Sequence, residues 1–401
     1  MSANPRTKVL QQIPRSVWIL GFVSLFMDIS SEIIHSLLPM FLMASLGASA
    51  TTIGLIEGIA EATAPIVKVF SGTLSDYLRN RKWLAVLGYG LGAISKPLFA
   101  IAPTIGVVVT ARVLDRVGKG VRGAPRDALV ADVTPPHLRG AAFGLRQALD
   151  TVGAFLGPLL AVLIMLAGSD NFRLAFWLAM IPGVIAVALL TLGIEEPAHD
   201  RGAKRVNPIR WENAKRLGRG YWWVVGVGGV FALARFSEAF LVLRAMDSGV
   251  PVAWVPLVMV AMNAVYALSA YPFGKLADQM SHTRLLIAGL VMLFASDIVL
   301  AHGNHWTVLL VGVALWGLHM GMTQGLLATM VAQTAPAQLR GTAFGVFNLV
   351  SGIVTLGSSV IAGMLWDRVG AMATFYAGAI FCVLTVLLLL SRRVIARRSI
   401  G

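Results

Sequence analysis

Charge is scarce in this sequence. Only 13% of its 401 residues are Asp, Glu, Lys or Arg, about half the share of a soluble domain. With 57% hydrophobic residues and a mean hydropathy of +0.77, too little polar surface remains to coat a water-soluble globule, so part of the solvent is lipid. Cysteine is nearly absent too. The single Cys382 lies in an apolar run, which excludes disulfides and thiolate metal clusters. Metal-ligand spacings, a hydrolytic triad and a phosphate-binding loop are all missing. Gly118-Lys119-Gly120 lacks the rest of a P-loop. The chain is therefore expected to be no enzyme, to need no cofactor or metal, and not to use ATP by itself.

Long apolar runs are what the sequence has in abundance. A bilayer span needs roughly 20 mostly apolar residues. Such runs cover 16–43, 51–75, 83–102, 105–132, 139–166, 171–193, 221–246, 252–277, 284–302, 306–332, 340–366 and 370–391. Helices are expected, because a helix satisfies its own backbone in lipid, and the short alternating segments of a β-barrel are missing. Ala48-Ser49-Ala50 looks like a signal cleavage site, but the stretch before it carries Asp28 and Glu32 and many spans follow. The first span is therefore expected to stay.

The net charge of +14 does not point to nucleic acid, because the basic residues sit on alternate connections. Arg6, Lys8 and Arg15 precede the first span. Arg79, Arg81 and Lys82 follow the second, and Arg139 follows the fourth. The linker 194–220 carries Arg201, Lys204, Arg205, Arg210, Lys215, Arg216 and Arg219. Arg392, Arg393, Arg397 and Arg398 end the chain. The connections 44–50, 102–105 and 303–305 have none, and Arg173, Arg244 and Arg368 are isolated exceptions. By the positive-inside rule, both termini and the linker are expected in the cytoplasm of a multi-pass protein of the cell (inner) membrane.

The linker separates two sets of six spans, and the sets repeat. VADVTPPHLRGAAFGL at 130–145 matches VAQTAPAQLRGTAFGV at 331–346 in nine of sixteen residues. GTLSDYLRNRK at 72–82 matches GKLADQMSHTR at 274–284, and Ser31-Glu32 matches Ser237-Glu238. The order is kept across three separate places, which argues for an internal repeat. The expected fold is an all-α integral membrane protein. Its 12 transmembrane helices would form two pseudo-symmetric six-helix bundles, 1–193 and 221–401, joined by a cytoplasmic linker at 194–220.

At these residues the chain resembles the major facilitator superfamily. Gly72, Asp76, Arg81 and Lys82 stand where that family has its loop signature between spans two and three. Arg116-Val-Gly-Lys-Gly120 resembles its span-four pattern. Gly153-Ala-Phe-Leu-Gly157-Pro158 resembles the span-five pattern of its drug/proton-antiporter branch, although Leu159-Leu160-Ala161 replaces the glycine pair that usually follows. The resemblance implies a secondary transporter, and a conformational latch formed by Asp76, Arg81 and Lys82. A monomer in the lipid bilayer, binding protons and a small-molecule substrate but no nucleic acid, is expected.

Charges at bilayer depth are costly and mark ion or substrate paths. Asp28, Glu32 and His35 share one face of span one. Glu57 and Glu61 share a face of span two, where Glu57 is read as solvated and Glu61 as deeper. Span four carries Arg112, Asp115, Arg116, Lys119, Arg122, Arg126 and Asp127, with Arg146 and Asp150 beside them on span five. Asp28, Glu32, Glu61 and Arg116 are assigned to proton coupling; permanent pairing of the span-one acids with span-four cations is the competing reading. His35, Arg112, Arg235, Glu238, Asn263, Tyr266, His319 and Gln324 are assigned to substrate. Arg126, Asp127, Arg146 and Asp150 join the gating set. Lys96, next to Pro97, is read as snorkelling or carbonyl-bonded. The functional expectation is proton-coupled export of a small organic solute by alternating access. The alternatives are a proton symporter importing an anionic metabolite or metal chelate, and a non-transporting membrane sensor.

Overall fold

A computed structural model describes residues 12–78, 80–196, 215–336 and 339–398. Fourteen α-helices run through these described residues, in an order that follows the apolar runs. The first six are α1 (Arg15–Met40), α2 (Ala50–Leu78), α3 (Arg81–Ile101), α4 (Ile105–Asp132), α5 (Arg139–Ala167) and α6 (Phe172–Gly193). Then come α7 (Arg219–Ala234), α8 (Ala239–Asp247), α9 (Leu257–Gln279), α10 (His282–His302), α11 (Trp306–Thr323), α12 (Leu326–Thr334), α13 (Arg340–Arg368) and α14 (Ala371–Arg398). Among the described residues, ten segments are long and apolar enough to cross a bilayer. The helices α2, with Glu57, Glu61 and Lys68, and α4, with its row of charges, fall outside that set.

Two spans read as continuous are broken. Span seven divides into α7 and α8 at Arg235–Glu238, and span ten into α11 and α12 at Gln324–Gly325. Gly325 has φ +72°, a left-handed turn that a residue with a Cβ adopts only at a cost. At the span-seven break, serines replace the lost helical bonds. Ser358 Oγ donates to the Leu233 carbonyl at 2.8 Å, the Ser237 amide donates to Ser359 Oγ at 3.2 Å, and the Ala239 amide donates to Ser237 Oγ at 3.3 Å. Non-helical backbone survives at membrane depth only when its polar groups are satisfied this way.

By contacts the chain divides into two compact units. One comprises Met1–Leu38 and Thr63–Asn207, the other Pro39–Ala62 and Pro208–Gly401. Each is built by the same pairings: α3 packs on α4 and α6 in the first, and α10 packs on α11 and α14 in the second. The crossings rest on glycine at matching repeat positions. Gly88 lies against Arg122 in the first unit, and Gly289 against Thr323 in the second.

Two of the isolated arginines have local duties. Arg173 donates to the Ala100 and Ala102 carbonyls at the end of α3, at 3.0 and 2.9 Å. Arg244 donates to the Leu300 carbonyl at 2.9 Å and to Ala301 at the end of α10, and pairs with Asp247. A cation at a helix C-terminus meets the orphan carbonyls and the negative end of the dipole, which is why these two stand outside the topology pattern.

Candidate functional site

In the first unit, the acid face of α1 lies against the glycines of α5. A Cβ on Gly153 would stand 2.6 Å from the Leu25 carbonyl oxygen and 3.0 Å from the Cβ of Asp28. A Cβ on Gly157 would stand 2.6 Å from the Cβ of Glu32. The glycine spacing of span five therefore lets α5 approach at the turns that carry the two acids. Glu32 meets His35 Nδ1 at 3.3 Å. Asp28 stands within hydrogen-bonding reach of Asp150 on α5. Lys119 of α4 acts electrostatically on Asp28, Glu32 and Asp150, and Arg116 acts on Glu32.

Behind this layer is an ion pair with no exposed atoms on its lysine. Lys96 Nζ donates to Asp115 Oδ1 at 2.7 Å and to Ser31 Oγ at 3.2 Å, and its side chain is 0% exposed. Lys96 is thus neither snorkelling nor carbonyl-bonded, contrary to the sequence reading: α3 points it into the bundle at the one carboxylate of α4's upper half. Arg116 Nε lies 4.0 Å from the other oxygen of Asp115. Arg112 is buried beside them. Arg122 places its guanidinium 4.9 Å from the centre of the Tyr89 ring.

The remaining charges of the first unit form a chain. Lys68 meets Asp127 at 3.2 Å, and Arg126 meets Asp127 at 3.1 Å and Asp150 at 3.8 Å. Arg146 meets Asp150 at 3.8 Å. Arg126 also donates to Ser24 Oγ at 3.2 Å. At the loop signature, Arg81 pairs with Asp132, and Glu196 accepts the amides of Arg81 and Lys82 at 2.8 and 2.7 Å. That carboxylate caps α3 and suits the positive end of its dipole. Lys82 lies over the Trp83 ring. Asp76 falls in the last turn of α2, and its side chain lies outside the described residues.

The second unit holds a cavity of about 300 Å³ at the broken helices. Arg235, Phe236 and Glu238 enter it from the span-seven break, Glu61 from α2, Phe231 from α7 and Phe347 from α13. Arg235 Nη2 stands 3.6 Å from Glu238 Oε1. Three sequence-picked residues, Glu61, Arg235 and Glu238, thereby line one cavity. His319 does not line it. It is buried behind Phe231, with ring centres 5.6 Å apart and Nδ1 2.9 Å from the Gly289 carbonyl. Asn263 and Tyr266 lie on α9, outside the cavity lining, and Gln324 is exposed at the span-ten break. Glu57 is fully buried rather than solvated; Gly54 and Gly58 on the neighbouring turns lie against Ser359 and Leu356 of α13, so the two helices approach closely there.

One residue escaped the sequence reading. Asp297 on α10 is 0% exposed, and neither carboxylate oxygen has a hydrogen-bond partner among the described residues. In the sequence it is one acid in an apolar run; only packing reveals that it lacks a partner.

Long apolar helices, two of them broken beside a cavity, together with charged side chains buried between helices, fit a polytopic membrane transporter. The Major Facilitator Superfamily model matches residues 20–354 and, in an overlapping match, 239–399. The chain is 31% identical over 388 residues to an uncharacterized MFS-type transporter of Methanocaldococcus jannaschii, covering 95% of each chain. It is 24% identical over 379 residues to the inner membrane transport protein YajR of Escherichia coli, covering 91% of this chain and 80% of that one. The nucleoside transporter NupG has the same fold, with a TM-score of 0.78 at 14% identity over 94% of this chain and 98% of that one. The chain belongs to the Major Facilitator Superfamily.

Proposed function

We propose that the chain is a proton-coupled exporter of a small organic solute, working by alternating access as a monomer in the inner membrane with both termini in the cytoplasm. The two six-helix halves, 1–193 and 221–401, are its moving parts, and 194–220 is their cytoplasmic link. The observation that carries the coupled part is the close packing of Gly153 and Gly157 on Asp28 and Glu32, with Lys119 acting on both acids. Water-filled access to such carboxylates allows a proton to be taken up and released, and a nearby cation makes its departure depend on conformation. The solute is assigned to the Glu61–Arg235–Glu238 cavity, whose 300 Å³ suits a small organic molecule. Discontinuous helices commonly build such sites in secondary transporters. Asp76, Arg81 and Lys82, with the Arg126–Asp127 and Arg146–Asp150 pairs, are assigned to gating at the cytoplasmic end.

Export is favoured by a partial match to a protein named for drug resistance. The quinolone resistance protein NorA of Staphylococcus aureus is 25% identical over 183 residues, which is 46% of each chain. A second reading, proton-coupled import of an organic anion, draws on α4. There Arg112, Arg116 and Arg122 lie within electrostatic range of Asp115, which already pairs with Lys96. The test is transport in proteoliposomes under an imposed pH gradient, using panels of cationic, neutral and anionic solutes. Accumulation of a cation or neutral solute against the proton flow supports export, and accumulation of an anion with the proton flow supports the second reading. No gradient-driven flux of any solute removes both.

A further inference from the structure

We propose that Asp297 is a proton-binding site of the second unit, set behind the aromatic wall of the Glu61–Arg235–Glu238 cavity. Its carboxyl has no exposed surface, and no hydrogen bond or ion pair reaches either oxygen among the described residues. An ionised carboxylate so placed is uncompensated at bilayer depth, and a bound proton removes that cost.

Packing connects it to the cavity. A Cβ on Gly378 would stand 2.6 Å from Asp297 Oδ2 and 3.0 Å from Phe236 Cε1. The carboxyl and the ring edge therefore share the gap that this glycine leaves. Phe236 belongs to the span-seven break and lines the cavity. It is held in an aromatic cluster with Phe240, Trp316 and Phe375, at ring-centre distances of 5.5, 5.4 and 5.6 Å. The indole N–H of Trp316 is also buried and without an acceptor among the described residues. A donor and an acceptor left unsatisfied around one aromatic ring mark a layer that water enters when the ring moves. Rearrangement of the break then opens a path between Asp297 and the cavity, and closure seals the proton in.

The surrounding titratable groups leave Asp297 without a charge partner. α11 offers His319, engaged with the Gly289 carbonyl. α14 offers Cys382, within electrostatic range of Asp297, and Tyr376, bonded to His302 at 2.9 Å. α12 has no titratable side chain, and His282 and Arg284 lie at the opposite end of α10. From the break, Arg235 and Glu238 face each other at the cavity.

The proposal extends the proton-coupled reading, but its test needs no substrate. Infrared titration of the purified full chain in nanodiscs should show a carboxylic-acid carbonyl band near neutral pH. The band should disappear at alkaline pH, move on ¹³C-aspartate labelling and be missing in Asp297→Asn. Cys382, the single cysteine, gives a second readout. A neighbouring carboxylate disfavours the reactive thiolate, so at alkaline pH a small maleimide should label the wild type several-fold more slowly than Asp297→Asn, while the two should label alike at neutral pH. Should Asp297→Asn fail to fold, the isotope-shifted band of the wild type and the Asp297→Glu variant carry the assignment. An aspartate band that never titrates, no such band, or equal labelling profiles in the two proteins overturns the proposal. Loss of the export reading would leave these outcomes untouched.

Discussion

Gly157 and Glu32 occupy the same turn of the α1–α5 contact: a methyl group on the glycine would lie 2.6 Å from the Cβ of the glutamate. Real Cβ atoms do not approach so closely, and the Ile29 carbonyl, 3.0 Å away on the same side, blocks a small adjustment. Gly157→Ala is therefore expected to push α5 off α1, at a cost of about 1–3 kcal/mol of overpacking strain. The check is a lowered melting temperature in detergent together with lost gradient-driven transport. Gly144→Ala, where a Cβ meets open space, should leave both unchanged.

The buried pair Lys96–Asp115 gives a stability prediction. Removing one partner leaves the other charge uncompensated, which costs about 3–5 kcal/mol. Lys96→Met and Asp115→Leu should each lower thermal stability sharply. The double variant should recover most of the loss, because replacing both partners with apolar groups is near neutral. A double variant no better than the worse single variant would mean that Ser31 or Arg116, rather than the pair, dominates.

Much of the fold was legible in the sequence because lipid imposes a length and an apolarity on every span. The repeated loop signature made the two halves visible. The breaks at Arg235–Glu238 and Gln324–Gly325 were hidden, since both lie within long apolar runs; at the first, the serines that satisfy the backbone, Ser358 and Ser359, come from elsewhere in the chain. Spacing placed Asp28 and Glu32 on one face of α1, yet it could not show that Gly153 and Gly157 pack there. Nor could it show that Lys96 has a partner while Asp297 has none among the described residues, because pairing is a property of neighbouring helices.

Asp367, at the end of α13, caps the start of α2 within the second unit. Its carboxylate accepts the Ala50 amide at 3.0 Å, the Thr51 amide at 2.8 Å and the Thr51 hydroxyl at 2.6 Å. Gly363 packs beneath, where a Cβ would stand 2.5 Å from the Ala50 carbonyl oxygen. Asp367→Ala removes a cap worth about 1 kcal/mol and loosens the contact of α2 with α13. Hydrogen exchange should rise at residues 50–53 and stay unchanged in α9. Asp367→Asn should retain part of the protection, since the amide oxygen still accepts one bond.

The coupling assignment makes Asp28 and Glu32 selective positions. With a solute identified, Glu32→Gln and Asp28→Asn should abolish pH-gradient-driven accumulation by an order of magnitude or more while sparing solute exchange. Wild-type accumulation in both variants would move the proton site to Glu61 or to Asp297.

The cavity prediction rests on Arg235 and Glu238, which face each other at 3.6 Å across the span-seven break. Both are only partly buried, with side-chain exposures of 36% and 19%. Water screens them, so the pair itself stabilises by less than about 1 kcal/mol. Losing it should therefore leave the fold intact, and any large effect on transport must come from contact with the solute. Arg235→Gln and Glu238→Gln are expected to keep the wild-type melting temperature within error, and one of the two to raise the apparent KM about tenfold. Their effects should depend on charge: the variant that removes the group opposite in sign to the solute weakens binding, and the other variant changes it little. Exchanging the two residues keeps the pair but inverts the field at the break. If the exchange restores transport in full, the two residues serve only each other and the solute lies elsewhere. If transport stays impaired while the melting temperature is normal, the cavity at the broken helices is where the solute binds.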